Sequence, residues 1–540
     1  MGEGETNAAA AWFLSAADRG NPAARIDRGA SAAGWSAGNR VEVLVDGATY
    51  FSRLYRELCS LRADDWVHFT DWDGDPDERL AGPGTELASV LEDLAARGVH
   101  VRGLLWRSHP TQANFSEQQN LALTKDVNRA GGEVLLDERV RRGGSHHQKL
   151  FVIRRADGPD DDVAFVGGID LCHGRHDDAR HLGDAQAVEL DQCYGDHPPW
   201  HDVQLELHGP AVAAIADTFR ERWEDPHPLD HHNPVRRVVR TLTRQPRHPD
   251  PLPPPRREPA TVGPHAVQVL RTYPSKRPAY PFAPDGERSV ARAYLKALGR
   301  ARRLVYLEDQ YFWSERAAHA LGDALRVNPE LHVVVVVPRF PDRDGRMAGP
   351  AARIGRERAT RIVERAGGDR VLVCDVENVE GTPIYVHAKV CIVDDVWMMV
   401  GSDNMNRRSW THDSELSCAV LDATLDEREP RDPAGLGDGA RKLARDTRLE
   451  LWREHLGRTE RTGDDDLLEP EGAFGKFRRT AQALDDWYER GRQGERPPGH
   501  VRVHQPERIP ARHRWWAHAV SRVVNDPDGR PRADRRADRY

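Results

Sequence analysis

The tripeptide His147-Gln148-Lys149 has a near copy 240 residues later, His387-Ala388-Lys389. Each copy is followed by an apolar run, Leu150-Phe151-Val152-Ile153 and Val390-Cys391-Ile392-Val393. Each run leads to a small-residue turn, Val166-Gly167-Gly168-Ile169-Asp170 and Val400-Gly401-Ser402-Asp403-Asn404. One His-x-Lys means little in a chain with 25 histidines. Two in matching surroundings imply an internal repeat, and a repeat restricts the fold to one structural plan used twice.

The matching order extends upstream of the motifs. The first half opens with an alternating strand over 41–46, then a helix over 50–62 and an extended segment over 66–72. The second opens with a strand over 267–270, a helix over 289–300 and a strand over 304–311. Each half continues with a helix (84–97 and 315–326) and a buried-type strand (99–106 and 331–337). A short strand (134–136 and 371–373) then precedes each His-x-Lys. This alternation predicts an α/β protein of two pseudo-symmetric lobes. Each lobe is expected to hold a mixed, largely parallel sheet flanked by helices, with the active site between lobes. The expected division is an N-terminal segment 1–39, a first lobe 40–225, a Pro-rich linker 226–262, a second lobe 263–456 and a C-terminal extension 457–540. Residues 526–540 are highly charged and are expected to be disordered.

Composition bounds the partners. Charged residues make up 30% and hydrophobic residues 39%, the balance of a soluble globular chain. A net charge of −8 argues against a nucleic-acid coat, so no stable nucleic-acid partner is expected. The six cysteines contain no CxxC pair, which argues against a zinc ribbon or a thioredoxin-like site. The 8–14 patch lacks the basic flank and length of a signal core, and no run approaches the roughly 20 apolar residues of a membrane span. The expectation is a cytoplasmic monomer, at most peripheral at a membrane.

The paired motifs carry the chemistry. In an extended segment, side chains two apart share a face, so each histidine projects with its lysine. His146 is one residue out of phase and should point away. Imidazole titrates near neutrality and can serve as nucleophile or general acid. The chain has only seven lysines among 78 basic residues, yet two occupy these motifs. That argues for an ammonium group being required there. Two such pairs facing each other would supply one imidazole to attack phosphorus and another to protonate the leaving oxygen. The ammonium groups would neutralise the phosphate, so no metal or cofactor is expected.

The motifs resemble those of the phospholipase D superfamily, HxKxxxxD present twice with a GG or GS turn downstream. The second copy is complete: His387, Lys389, Asp394, Gly401, Ser402 and Asn404. The first gives His147, Lys149, Gly167, Gly168 and Asp170, but Arg154 stands where the pattern has aspartate. Pro199-Trp200-His201-Asp202-Val203, Tyr306-Leu307-Glu308-Asp309-Gln310-Tyr311-Phe312 and Asp413-Ser414-Glu415 are also similar to family segments, and the likeness covers about 40–456. The resemblance implies His147 as nucleophile through a covalent phosphohistidine and His387 as general acid/base. It implies that Lys149, Lys389 and Asn404 hold phosphate oxygens, with Asp170 and Ser409 as further contacts. Asp202 and Glu415 would orient the imidazoles, and Asp394 would be structural. The implied activity is hydrolysis of glycerophospholipids to phosphatidate and a free headgroup at a membrane surface. Water or an alcohol would be the acceptor. The alternatives are a nucleic-acid or other phosphodiesterase, a cardiolipin synthase-like phosphatidyltransferase, and a non-catalytic phosphate-binding scaffold. Trp72, Trp106, Trp313 and Trp410 fall near strand ends and suit either core packing or a substrate entrance. Trp515-Trp516, flanked by Arg512, Arg514 and Arg522, suits either a lipid interface or a packed terminal helix.

Overall fold

The computed structural model describes residues 3–27, 34–107, 117–186, 188, 190–230, 238, 246–342, 348–458, 463–505 and 509–540. The first half contributes β1 (Ser36–Val45), β2 (Trp66–Asp71), β3 (His100–Trp106), β4 (Glu133–Asp137), β5 (Leu150–Arg154), β6 (Val163–Gly167), β7 (Trp200–His201) and β8 (Val203–His208). The second contributes β9 (His265–Tyr273), β10 (Glu287–Arg288), β11 (Leu304–Asp309), β12 (His332–Val336), β13 (Val371–Val376), β14 (Tyr385–Val386), β15 (Lys389–Val393), β16 (Trp397–Gly401) and β17 (Glu415–Asp422). A last strand, β18 (Val501–Val503), follows.

Among the described residues, sixteen of these strands form one sheet that runs through both halves. From its middle outward, β1-β8-β6-β5-β2-β3-β4 on one side is matched by β9-β17-β16-β15-β11-β12-β13 on the other. The repeat is therefore seven strands in one order, used twice. The two copies meet where β1 and β9 pair antiparallel, Ser36 opposite Val267 and Asn39 opposite His265. Asn39 sits in that seam: its amide donates to the His265 carbonyl and its Oδ1 accepts from Ala211 N.

Connection length decides strand direction. β2-β3-β4 and β11-β12-β13 are parallel trios, because a helix returns the chain between successive strands. Those helices are Leu87–Ala96 and Glu117–Arg129 in one half, and Glu315–Val327 and Ala348–Gly367 in the other. The apolar runs after each His-x-Lys enter short hairpins, β5–β6 and β15–β16, which are antiparallel. The runs are continuously apolar because both faces of the sheet are covered. Val152 and Val390 face a core shared by both halves, while Phe151 and Cys391 face cores under the outer helices.

The aspartate missing from the first motif is replaced by a different tie. Asp394, at φ 55, ends β15 and accepts backbone N–H bonds from Arg302, Arg303 and Leu304, each at 2.8 Å. It thereby anchors the hairpin to the start of β11. In the first half the carboxylate comes from the other side of the contact. Asp65, just before β2, accepts from Ala156 N beyond β5 (2.8 Å) and from Arg62 N (2.8 Å). Arg154 is freed to pair with buried Asp162 at 2.5 Å and to donate to the Arg257 carbonyl. Asp394→Ala leaves one buried and two part-buried donors unpaired, so a stability loss of about 3 kcal/mol is expected in denaturant melts. Arg154→Ala removes one side of a local pair and should cost less than that.

The ends of the chain differ from expectation. Residues 526–540 are ordered rather than disordered, and include the helix Arg532–Arg536. Their charges pair instead of repelling. Asp526 accepts from Arg407 and Arg408, Arg288 meets Asp534, and Arg530 meets Asp528 and Asp538. Tyr540 packs edge-on to Trp410. Near the other end, Glu3–Trp12 is a helix, and Trp12 and Phe13 are buried in the core of the second half. Of the 226–262 stretch, residues 231–237 and 239–245 lie outside the described residues; 246–262 has no helix or strand.

Candidate active site

The two His-x-Lys segments meet because each half reaches across to the other. His146 bridges to Ser414, and His147 N donates to the Ser414 carbonyl at 2.9 Å. On the other side β14 pairs with β7, and His387 N donates to the His201 carbonyl at 2.8 Å. Each accepting residue immediately precedes a buried carboxylate. Glu415 Oε2 lies 2.9 Å from His147 Nδ1, and Asp202 Oδ2 lies 2.6 Å from His387 Nδ1. Each histidine is thus oriented by the opposite half. Both rings line one cleft, together with Trp72, Asp170, Arg175, Trp200, Gln310, Tyr311 and Tyr385. With Nδ1 engaged, Nε2 of each ring is the nitrogen left to react.

The small-residue turns make these contacts sterically possible. A Cβ on Gly168 would sit 2.2 Å from Asp202 Oδ1, and one on Gly401 would sit 1.9 Å from Ser417 Oγ. In the second half the turn also supplies a donor. Ser402 Oγ donates to Glu415 Oε2 at 2.6 Å, and the Ser409 hydroxyl bonds the same carboxyl.

Burial dominates the electrostatics. It pushes His147 down to about 3, reinforced by Lys149, and pushes His387 well below its usual value, reinforced by Lys389. Both imidazoles are therefore held in the neutral form, as a nucleophile requires. Burial, with Asp413 nearby, pushes Glu415 up to about 8, and burial also raises Asp202. The two lysines differ. Lys149 Nζ lies 3.0 Å from Asp170. Burial opposes that charge, but Asp170 and Asp71 keep the ammonium above its ordinary value. At the matching position the second half has the neutral Asn404. Lys389 donates to the His387 carbonyl and reaches Gln310 Oε1 at 3.4 Å. Burial lowers it to about 8.

A family profile described as Phospholipase D matches residues 81–271 and 373–502, more than half of the chain. The chain belongs to the phospholipase D family. A second profile, described as Cardiolipin synthase, PLD-like domain, matches residues 294–428. Phospholipase D alpha 1 of Ricinus communis is 24% identical over 559 residues, which cover 81% of this chain and 66% of that protein. Phospholipase D alpha 1 of Carica papaya is 25% identical over 564 residues, with the same shares. The chain thus spans about two thirds of the length of these curated relatives. Among solved structures, phosphatidylserine synthase from Haemophilus influenzae Rd KW20 superposes with a TM-score of 0.49 at 14% identity, over 71% of this chain and 82% of that one. Enzymes of the family catalyse phosphodiester hydrolysis or transfer.

The site residues read from the sequence fall into three groups. His147, His387, Lys149, Lys389, Asp202 and Glu415 come together as one constellation. Asp170 belongs to it in a different capacity. Burial works against its charge, but Lys149 and a hydrogen bond from Asp71 hold it far below the usual carboxylate range. It lines the cleft with both histidines and also fixes Lys149. Ser409 likewise serves Glu415. Asn404 is buried with its Oδ1 unpartnered among the described residues, and it does not line the cleft. His146 turns away, with Nδ1 at 2.7 Å from Ser414 Oγ and Nε2 at 3.3 Å from Asp137. Of the tryptophans, Trp72 lines the cleft, stacked on Trp106, while Trp410 is core, stacked on Tyr294.

Arg175 and Asp71 contribute without any motif signal, and Trp200 contributes from the family-like 199–203 segment. Trp200 lies against the His387 ring at 5.0 Å, and the Arg175 guanidinium lies 3.9 Å over Trp200. Asp71, raised by burial and by Asp170, is the proton donor to Asp170. The family-like 199–203 and 306–312 segments also acquire a physical role. Both ring nitrogens of His201 lie on carboxylates, Asp46 at 3.0 Å and Glu308 at 2.9 Å, so the ring is an imidazolium. It joins β7 to β11, one residue before the Asp202 that holds His387.

The lysine asymmetry predicts a pH effect. Deprotonation of Lys389 removes a cation held beside His387, so kcat/KM is expected to fall as pH rises through about 8. Asn404→Asp supplies the counter-charge that Asp170 gives Lys149. The alkaline limb should then move up by about one unit. An unmoved limb in that variant would assign the titration to another group.

Proposed function

We propose that this protein is a phospholipase D-type phosphodiesterase that cleaves the headgroup ester of a glycerophospholipid. The observation that carries the reading is one cleft lined by two imidazoles, each anchored through Nδ1 by a carboxylate of the other half. Two lysines and Arg175 supply positive charge beside them.

In the proposed reaction the phosphate lies between Lys149 and Lys389. Its negative charge offsets the cations that depress His387, which then takes up a proton. The lone pair of His147 Nε2 attacks phosphorus, the P–O bond to the headgroup breaks, and His387 gives its proton to the departing oxygen. His387 next removes a proton from water or an alcohol, whose oxygen attacks phosphorus. The P–N bond breaks and the electron pair returns to His147. Water gives phosphatidate; an alcohol gives a transferred phosphatidyl group. Transfer as the main outcome is the second reading, supported by the match of residues 294–428 to a cardiolipin synthase-type domain.

The test offers phosphatidylcholine with a primary alcohol, with chelator present. Release of choline together with a phosphatidyl-alcohol is expected. The acceptor dependence of the product ratio separates the two readings. Cleavage of DNA with no action on phospholipid would overturn both.

A further inference from the structure

Trp515 is 82% exposed, and Val523 and Val524 are 75% and 59% exposed. Among the described residues, Trp515 is the only aromatic among the exposed large hydrophobic side chains. These residues lie on the helix Ala511–Val520 and on the wider π turn Ser521–Asn525 that continues it. Arg512, Trp515, Ala519 and Arg522 are all exposed, and their spacing of three, four and three puts them on one face. The opposite face is fixed. Ala517 is buried against Ile354 and Ile509, and Arg514 donates to Glu357 at 2.6 Å. From 511 to 524 the chain carries three arginines and no acidic residue, in a protein of net charge −8.

Both ends of this segment are tied to elements that lead to the catalytic cleft. Glu357, which receives Arg514, lines a cavity with Gln310, Tyr311 and Tyr385, which also line the cleft. At the other end, Arg408 donates to the Val524 carbonyl at 3.2 Å and to the Gly143 carbonyl at 2.8 Å, four residues before His147.

We propose that the Arg512–Trp515–Ala519–Arg522 face, with Val523 and Val524, is a docking surface for an anionic lipid bilayer. An exposed tryptophan partitions to the level of the lipid headgroups. The valines enter the apolar boundary below it, and the arginines meet the phosphates. The local positive charge favours a negative bilayer that the rest of the chain repels, so contact is made through this face. Docking there would present the cleft rim to the lipid. The proposal rests on the phospholipase reading for its purpose, but its test does not.

The test measures binding of the full chain to vesicles of phosphatidylcholine, with and without phosphatidylglycerol. Tighter binding to the anionic vesicles, weakened by added salt, is expected. Arg512→Glu with Arg522→Glu should lower affinity for anionic vesicles about thirtyfold. Trp515→Ala with Val523→Ser and Val524→Ser should weaken binding to both vesicle types. All five positions are exposed, and turnover of a monomeric short-chain phosphatidylcholine should be unchanged in both variants. Unaltered vesicle binding in both would overturn the proposal. So would a wild-type dimer that the variants dissociate, because a second copy would then cover the face. Variant-sensitive vesicle binding without phospholipid cleavage would uphold the docking surface and remove the phospholipase reading. Cleavage with variant-insensitive binding would do the reverse.

Discussion

His147→Ala is expected to lower turnover at least about ten-thousandfold, the scale on which loss of a nucleophile is felt. His387→Ala should match that loss on a phospholipid but not on an ester with a p-nitrophenolate leaving group. Such an oxygen departs without a proton, so the first step needs no acid. The second step still needs a base. The His387→Ala variant should therefore release one equivalent of p-nitrophenol in a burst and then stall as a phosphohistidine. The adduct is recognised by its acid lability and base stability. His147→Ala should give no burst. A burst from His147→Ala and none from His387→Ala would exchange the two roles. No burst and no adduct in either would remove the covalent route altogether.

The second large effect tests the crosswise wiring. Asp202→Asn keeps the shape of the 2.6 Å contact to His387 Nδ1 but lets the amide present the wrong partner to the ring. In serine proteases a comparable exchange costs about 10⁴ in turnover, and a loss of about 10³ to 10⁴ is expected here. Glu415→Gln should act similarly through His147. The decisive comparison is non-additive. Asp202→Asn should cost little in a His387→Ala background and its full penalty in a Glu415→Gln background. If Asp202 served His147, the pattern would be inverted.

Much of the fold was legible because the sequence writes it twice. A His-x-Lys, an apolar run and a small-residue turn mark a hairpin whether or not anything else is known. Two such marks in register reveal that β5 is the counterpart of β15 and β6 the counterpart of β16. Strand–helix alternation marked the parallel trios. The central seam was not legible, since the pairing of β1 with β9 joins residues more than two hundred apart and has no local signature. The tail was misread because a run of charges looks the same whether its members pair or repel; only the partners Arg288, Arg407 and Arg408 decide it.

Within the site, the histidines, lysines and orienting carboxylates were all visible, through motif spacing or resemblance. Which carboxylate serves which ring was not, because that depends on the two halves crossing. Asp170 shows a further limit. Its position marks it as part of the site, yet its role follows from the 3.0 Å contact to Lys149, which no spacing encodes. Arg175 was invisible because it lies outside the motifs; Asp71 does recur, as Asp309 at the end of β11, but nothing in the spacing showed its contact with Asp170.

The swapped carboxylates have a consequence for how such a site can change. In a symmetric pair of identical subunits, every substitution enters both half-sites at once, so the two can never differ. Here the half-sites share one chain, and each position mutates alone. Asp170 against Asn404, Asp202 against Glu415 and Arg154 against Asp394 are places where that freedom has been used. A site that must both attack and protonate gains from unequal histidines. Covalent linkage of the halves is what permits the inequality, while the crossed contacts ensure that neither half can work without its sibling.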